Sequence, residues 1–329
     1  FFFEKNNHIL NNRLHTSVKP YLFSNLDSIF PDLCTTPTKM SWLIKKWSHE
    51  HFLQEEGKDY SLIINPILNI EIGKELSSRK TIWVNTRGII AEGKLGKKFS
   101  FYSLFLENQS VLPSYITSSI LEKSAWVIPG QGESRWSADT VFDYAMAEGH
   151  FSYNLSRFST LQFGTGKHFI GDGYRSMILS DNAFNYPFLR VQTNVGIFQY
   201  TNLYMEHIDM ISNPSQEYTY DKKYMTLHHL STNITDRLNI GIFESVIWSN
   251  RRNPEISGFD IAYLNPIIFL RPVEFSMNSS DNVIMGTNFK FKVNNKTHLY
   301  SQFVIDELSL PELKKRNGWW GNKYAYQLG

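Results

Sequence analysis

The stretch that decides the fold runs from Tyr60 to Ile72 and reads Y-S-L-I-I-N-P-I-L-N-I-E-I. One face carries residues 60, 62, 64, 66, 68, 70 and 72, whereas the other carries Ser61, Asn65, Asn69 and Glu71 with Ile63 and Ile67. A period of two indicates a β-strand. Ordinary strands have about five or six residues, and the alternating stretch here is much longer. This favours a tilted membrane strand, of which about 9–11 residues span the hydrocarbon layer and the rest extend beyond it.

The same alternation recurs along the chain and predicts an all-β protein. We count about twelve strands, starting near residues 60, 81, 98, 148, 160, 188, 200, 223, 238, 283, 297 and 319. In the strand near residue 188, we expect Leu189, Val191, Val195 and Ile197 to face lipid, and Arg190, Gln192 and Asn194 to face the lumen. A soluble sandwich also alternates, but its strands are shorter.

The connections between these strands alternate in length. Short turns are expected at 94–97, 156–159, near 198, at 234–237 and at 294–296; long connections are expected at 73–80, 109–147, 167–187, 210–222, 249–282 and 307–318. Short turns at one end and long loops at the other are typical of a transmembrane antiparallel outer-membrane β-barrel. The short turns would be periplasmic and the long loops extracellular.

Composition narrows the function classes. The net charge of +2 gives no basic footprint for nucleic acid, and the single cysteine, Cys34, excludes an intramolecular disulfide and a cysteine-based zinc cluster. No run approaches 18 apolar residues, so no transmembrane helix is expected. The aromatic content of 15% suits a protein with many rings at a membrane interface. We expect no metal and no cofactor.

The chain divides into two parts. Residues 1–58 form a predicted N-terminal periplasmic or plug segment, with a short helix from Met40 to Glu56 that ends before Gly57. Residues 59–329 form the predicted barrel. Because the last strand lacks a terminal aromatic residue, we expect the barrel to continue beyond Gly329.

A glycine-rich stretch from Gly164 to Arg190 contains the candidate ligand-binding residues. Its glycines permit a tight, shaped loop, and a strand rather than a helix follows it, which disfavours a phosphate-binding loop. The candidates are Lys167, His168, Asp172, Tyr174, Arg175, Asp181, Asn182, Asn185 and Arg190. Carboxylates, amides and rings suit the binding of sugars. The alternative is that these groups bind each other and hold the loop in place. We expect Lys167 to Tyr186 to form an extracellular lid.

The sequence also predicts the fate of one apolar connection and leaves two alternative functions open. The apolar connection from Phe259 to Met277 should not stay exposed, and should fold inward, cover the mouth or dock a partner. A diffusion channel for small solutes is one alternative function. A barrel hydrolase is another, using His168 with Ser176 or Ser180, or the carboxylates Asp172 and Asp181, although no spacing demands it.

The stretch G-x-G-K-H-F-I-G-D-G-Y-R-S-x-x-L-S-D-N-A-F-N-Y-P, residues 164–187, resembles the Wzi-type capsule assembly proteins, and more closely their RemB-type gliding-motility relatives. Shorter segments agree: His15-Thr16-Ser17, Lys19-Pro20-Tyr21, Asn85-Thr86-Arg87-Gly88, Glu107-Asn108-Gln109, Pro129-Gly130-Gln131-Gly132, Leu264-Asn265-Pro266 and Arg271-Pro272-Val273-Glu274. The resemblance implies an 18-stranded outer-membrane barrel, closed by periplasmic helices, that binds surface polysaccharide without catalysis. It implies as partners the lipid bilayer, the polysaccharide and other outer-membrane, secretion or motility proteins.

Overall fold

The computed structural model describes residues 14–22, 41, 50–123, 126–137, 141–209, 221–249, 259–269, 281–306, 310–316 and 318–329. The strands are β1 (Val18–Lys19), β2 (Leu53–Glu56), β3 (Tyr60–Lys74), β4 (Thr81–Leu95), β5 (Phe99–Val111), β6 (Val127–Ile128), β7 (Gly132–Glu133), β8 (Arg135–Ser137), β9 (Val141–Asn154), β10 (Ser159–Gly166), β11 (Phe169–Ile170), β12 (Tyr186–Val195), β13 (Phe198–Asp209), β14 (Asp221–Asn233), β15 (Leu238–Ser249), β16 (Asn282–Asn294), β17 (Thr297–Asp306) and β18 (Lys323–Leu328). The helices are α1 (Ser114–Lys123), α2 (Leu310–Lys315) and a 3-10 helix (Ile261–Leu264).

One antiparallel sheet of 14 strands dominates the fold, in the order β18-β17-β16-β15-β14-β13-β12-β10-β9-β5-β4-β3-β2, with the short β8 beside β9. Its twelve principal strands, all but β2 and β8, confirm the predicted strands, although β9 begins at Val141 and β18 at Lys323, not near 148 and 319. Within the described residues, no pairing joins β2 to β18, so the sheet has two edges there and no closed barrel is observed.

The predicted helix from Met40 to Glu56 is wrong at its end, because Leu53–Glu56 is strand β2. Residues 42–49 of this prediction lie outside the described residues. Leu53 pairs with Ile64 and Glu56 with Ser61. The edge of β3 provides hydrogen-bond partners for the backbone N–H and C=O groups of these residues. A helical spacing of apolar residues in the local sequence does not reveal this pairing.

The alternation of connection length is confirmed. The short connections are 96–98, 155–158, 196–197, 234–237 and 295–296, and all of them lie at one end of the sheet. Two of them, 196–197 and 295–296, have only two residues, and in the first Gly196 has a φ of 59°, in the region that such hairpin turns require. The long connections lie at the other end and include 112–140, 167–185 and 250–281.

A water-soluble sheet buries its apolar face and exposes its polar face. This sheet has the reverse arrangement. The face that we call inner buries polar side chains, among them Asn108, Gln162, Arg190, Gln192, Thr201, His229, Ser231, Asn239, Asn288 and Gln302. The outer face exposes large apolar side chains, among them Leu68, Ile70, Ile72, Ile89, Phe105, Phe151, Phe163, Leu299, Phe303 and Tyr326. The predicted alternation of β12 is confirmed, since Arg190 and Gln192 are buried and Leu189 and Val191 are on the opposite face, whereas Ile197 lies beyond the end of the strand.

A plug, consisting of residues 14–22 and 167–185, covers the inner face. Strand β1 pairs with β11, so the two plug segments form one unit. Val18, Ile170 and Ile178 of the plug share a buried cluster with side chains of β12, β13, β14, β15 and β17. Because five strands contact a single small cluster, the sheet curves around the plug. No helix in the described part of the chain is long and apolar enough to cross a membrane.

Candidate functional site

The plug is held by a buried polar network around Asp172. The Asp172 side chain is only 1% exposed and lies 3.6 Å from Lys290 Nζ. Thr16 Oγ1 donates to Asp172 Oδ1 at 2.5 Å, and Ser17 Oγ donates to Oδ2 at 3.2 Å. Asn288 Nδ2 donates to Ser17 Oγ at 3.1 Å and to Asp172 Oδ2 at 3.4 Å. These bonds join both plug segments to β16, and they show that Asp172 is a structural residue of the plug.

His15 extends this network toward β14. Its Nδ1 lies 2.8 Å from Ser231 Oγ, which also accepts from Asn239 Nδ2 at 2.8 Å. Burial and the neighbouring His229 lower the pKa of His15 from 6.5 to about 4, against the opposing effect of Asp172. Burial would raise the pKa of Asp172, but Lys290 and the bonds from Thr16 and Ser17 hold it below its usual value. The network is therefore built for a neutral imidazole beside a charged carboxylate.

We predict that plug docking weakens as the pH falls from 6.5 toward 4. The undocked segment binds a proton at His15 near pH 6.5, whereas the docked segment does so only near pH 4. Stability is therefore fully present above pH 6.5, and about 3 kcal/mol of it is lost over this window. Hydrogen exchange of residues 14–22 should accelerate at pH 5 relative to pH 7. His15→Gln should remove most of this pH dependence, and an unchanged slope in that variant would contradict the assignment to His15.

Between the plug and β4, β5, β9 and β10 lies a cavity of about 850 Å³. Inner-face residues of the strands contribute Glu92, Lys94, Ser100, Tyr102, Glu148, His150, Ser152, Asn154, Thr160 and Gln162. The plug contributes Lys19, Pro20, Tyr21, Leu22, Lys167, His168, Phe169 and Asp181. The cavity thus combines charges of both signs, hydroxyl and amide groups, and rings, and it is wide enough to hold a ligand of several sugar units.

Rings form one wall of the cavity. Tyr102 stacks on His150 with centroids 5.3 Å apart, and His150 lies 6.1 Å from Phe188. His168 meets Phe188 edge-on at 4.3 Å. Tyr102 pairs with His150, and both His150 and Phe188 pair with Gly164 of β10, which has no side chain, so these rings lie on one face of the sheet. The flat face of a sugar ring suits such a wall.

Two buried polar atoms at this cavity lack a hydrogen-bond partner in the described part of the chain, namely His168 Nε2 and Gln162 Oε1. His168 is 1% exposed and Gln162 is 5% exposed. The other ring nitrogen of His168 lies 3.3 Å from the Tyr186 hydroxyl. Burial, followed by Arg190 and His150, holds the pKa of His168 well below its usual value, so the ring is neutral. A buried, unpartnered donor or acceptor is costly unless a ligand or water meets it.

The structure brings together only some of the predicted site residues. Lys167, His168 and Asp181 line the cavity, and Lys167 Nζ donates to the carbonyl of Gly130 at 2.9 Å. Tyr174 is 81% exposed away from the cavity, with the Arg175 guanidinium 5.3 Å from its ring centroid. Asn182 is exposed.

The remaining predicted residues have structural contacts. Asp172 belongs to the plug network. Asn185 Nδ2 donates to the carbonyl of Ala147. Arg190 is 1% exposed and donates to the Pro20 carbonyl at 2.9 Å and to Gln192. The stretch from Lys167 to Tyr186 therefore packs against the inner face instead of lying as a lid, because its apolar residues and Asp172 find matching partners there.

Sequence reasoning missed the strand residues of the cavity, above all Tyr102, His150, Glu92 and Glu148. They occupy alternate positions on the polar face of β4, β5 and β9, and that alternation is the signal that points to them. The pairs proposed for hydrolysis do not meet in the described contacts. Ser176 Oγ donates to the Ile170 carbonyl, whereas His168 contacts Tyr186.

No family model matches the chain, and no curated protein matches it by sequence. Among solved structures, the chain is similar to a CymD monoaromatic hydrocarbon channel at 8% sequence identity and a TM-score of 0.22. The similarity covers 78% of this chain and 68% of the channel chain. A TM-score this low supports no functional argument. In the described residues, no cluster of three or more histidine, cysteine, aspartate or glutamate side chains is arranged to hold a metal ion.

Proposed function

We propose that this chain is an outer-membrane β-barrel protein that binds surface polysaccharide in the cavity between its plug and its wall, without catalysis. The observation that carries the membrane assignment is the reversed polarity of the sheet. Apolar side chains such as Leu68 and Phe163 are 64% and 60% exposed on the outer face, while Arg190 and Gln192 are buried inside. Apolar side chains on the outer face cost no free energy of hydration if they contact lipid. Polar side chains on the inner face are expected if they line a polar, plugged lumen.

Barrel closure is part of the proposal. In the hydrocarbon layer, an unpaired sheet edge leaves backbone groups unsatisfied at several kcal/mol each. β3 is paired with β2 only from Ser61 to Ile64 and continues to Lys74, and β18 forms the other edge. In a membrane, both edges need antiparallel partners. The long connections are then extracellular and the short turns periplasmic.

The cavity supports a role in binding carbohydrate. Its ring wall and its hydroxyl and amide groups are what a sugar needs for stacking and hydrogen bonding. A channel for small solutes is the second candidate. The plug fills the inner face from β12 to β17, which favours a binding site over a conducting pore. Surface motility is the process in which a polysaccharide-binding protein of this kind would serve.

The test uses the protein reconstituted in lipid vesicles and polysaccharide extracted from the surface of the cells that produce it. The reconstituted protein should float with the vesicles after a high-salt wash. Tyr102→Ala should weaken binding by roughly tenfold. Removal of a stacking ring costs about 0.5–1.5 kcal/mol of binding free energy, in addition to the free energy lost with the apolar area that the ring buries.

Tyr174→Ala is the matched control, because Tyr174 is a tyrosine of the plug that points away from the cavity. Its binding should equal that of the unmodified protein. A loss of binding in Tyr174→Ala but not in Tyr102→Ala would move the site to the outer surface of the loop. Protein that remains in the aqueous phase would contradict the membrane assignment itself.

A further inference from the structure

The outer face of β13, β14 and β15 departs from the apolar pattern of the rest of the sheet. Tyr200, Tyr204, Thr226 and Glu244 lie there, and Glu244 is only 5% exposed. The described part of the connection between β15 and β16, residues 259–269, covers this polar area, and we call it the strap. The strap is anchored by Tyr263, which is 7% exposed and lies 4.4 Å from the ring of Trp248.

The polar side chains of the sheet bind the backbone of the strap. Tyr204 Oη donates to the Leu264 carbonyl at 3.0 Å, and Thr226 Oγ1 donates to the Tyr263 carbonyl at 3.2 Å. Tyr200 Oη donates to the Pro266 carbonyl and accepts from the Ile268 amide at 3.0 Å. Glu244 Oε2 accepts from the Phe269 amide at 2.5 Å. The polar groups of the sheet and those of the strap therefore satisfy each other.

Further amides of the strap, at positions 262, 263, 265 and 267, are bound locally. Ala262 N donates to Asp260 Oδ1 at 2.9 Å, Tyr263 N to the Asp260 carbonyl at 3.1 Å, and Ile267 N to Asn265 Oδ1 at 3.2 Å. Asn265 N donates to the Ala262 carbonyl at 3.4 Å, and Pro266 has no amide hydrogen. Under the strap, Asn202 and His228 bind each other at 2.6 Å. Backbone groups at membrane depth need partners of this kind.

The side chains that leave the strap on its far side are apolar. Ile261 is 77% exposed, Ile267 58%, Phe269 42% and Leu264 39%. Of the predicted outcomes for this connection, folding inward is confirmed for Tyr263 and not observed for these four residues. Residues 270–277 of that prediction lie outside the described residues.

The strap extends along most of the strand length. It begins beside Tyr224 and Trp248, near the ends of β14 and β15 that join the long connections. It reaches Tyr200, three residues after the short turn at 196–197. A strand of about 9–11 residues spans the hydrocarbon layer, so a strap of this reach lies at the depth of the acyl chains and not only among the headgroups.

We infer that residues 259–269 form a lipid-facing strap, a non-strand segment whose apolar side chains contact acyl chains while polar residues of the sheet satisfy its backbone. This inference rests on the proposed outer-membrane location. It accounts for two features together: the polar side chains on an otherwise apolar face, and the exposed apolar side chains on a segment without strand structure.

The test places a fluorescent label at position 267 by Ile267→Cys in a Cys34→Ser background, since Cys34 is the only cysteine. Phe105→Cys labels the outer face in the middle of β5 and serves as the reference for insertion. In vesicles with brominated acyl chains, both labels should lose most of their fluorescence, and iodide in the water should quench neither.

The possible results separate the inference from the proposed function. If iodide quenches the label at position 267 while lipid quenches that at 105, the strap lies in water and the inference fails, but the membrane assignment stands. If position 267 is shielded from both quenchers, protein covers the strap, and contact with lipid is again excluded. If iodide alone quenches both labels, the proposed membrane location and the inference fail together.

A second pair of variants tests the hydrogen bonds. Tyr200→Phe combined with Glu244→Met should release the strap and make the label at 267 accessible to iodide. Tyr153→Phe, on the outer face away from the strap, is the matched control and should leave quenching unchanged. Unchanged lipid quenching in the Tyr200 and Glu244 double variant would overturn the claim that these residues hold the strap.

Discussion

In the proposed outer-membrane location, Phe105→Arg should destabilise the protein by about 2–4 kcal/mol, because it would place a guanidinium on the lipid-facing side near the middle of the bilayer. Phe105 is the central residue of β5 and is 49% exposed on the outer face. In a water-soluble sheet, arginine at so exposed a position would be tolerated or favoured. The substitution should therefore lower the free energy of unfolding if Phe105 faces lipid, and leave it unchanged or raise it if Phe105 faces water. Urea unfolding of the protein in lipid vesicles measures this change.

Leu104→Arg is the matched control on the adjacent residue. Leu104 lies on the inner face, opposite Glu148 of β9, so arginine there meets a polar lumen and a carboxylate. We expect a much smaller loss of stability than for Phe105→Arg. Equal tolerance of the two substitutions would contradict the lipid exposure of the outer face, and a larger loss for Leu104→Arg would reverse the assignment of the two faces.

Asp172→Asn should release the plug at a cost of about 3–5 kcal/mol, the range for breaking a buried ion pair by removing one partner. The change leaves Lys290, with a side chain 12% exposed, without its carboxylate, and it alters the bonds from Thr16 and Ser17. Limited proteolysis and hydrogen exchange of residues 14–22 should report the release, while the strands of the wall keep their protection.

Two further variants make this result specific. Asp181→Asn changes an exposed carboxylate of the same loop and should leave plug docking unchanged. Adding Lys290→Met to Asp172→Asn removes the unpaired charge and should restore much of the loss, since apolar replacement of a buried pair is often close to neutral. If Asp172→Asn alone leaves the plug docked, the network does not hold it, and the apolar cluster around Ile170 does.

The sequence by itself determined the strands and the polarity of their two faces. The period-two pattern is local, and it covers most of a strand such as Tyr60–Lys74, which has 15 residues, so it outweighs weaker signals. The sequence also predicted which connections are short and which are long, because turn residues interrupt the alternation between strands. The sequence pattern failed at Leu53–Glu56, where pairing with β3 overrode a helical spacing.

Only the tertiary structure decided which connections turn inward, which lie outside, and where the cavity forms. The plug contacts join residues as distant as His15 and Ser231, 216 positions apart, and Ser17 and Asn288, 271 positions apart. Loop residues such as Asp172 and strand residues such as Glu244 look alike in sequence, as polar groups of uncertain role. Their roles depend on which buried partner each one meets, because a buried polar group is stable only when it is paired. That pairing is a property of the folded sheet and not of any local stretch of the chain.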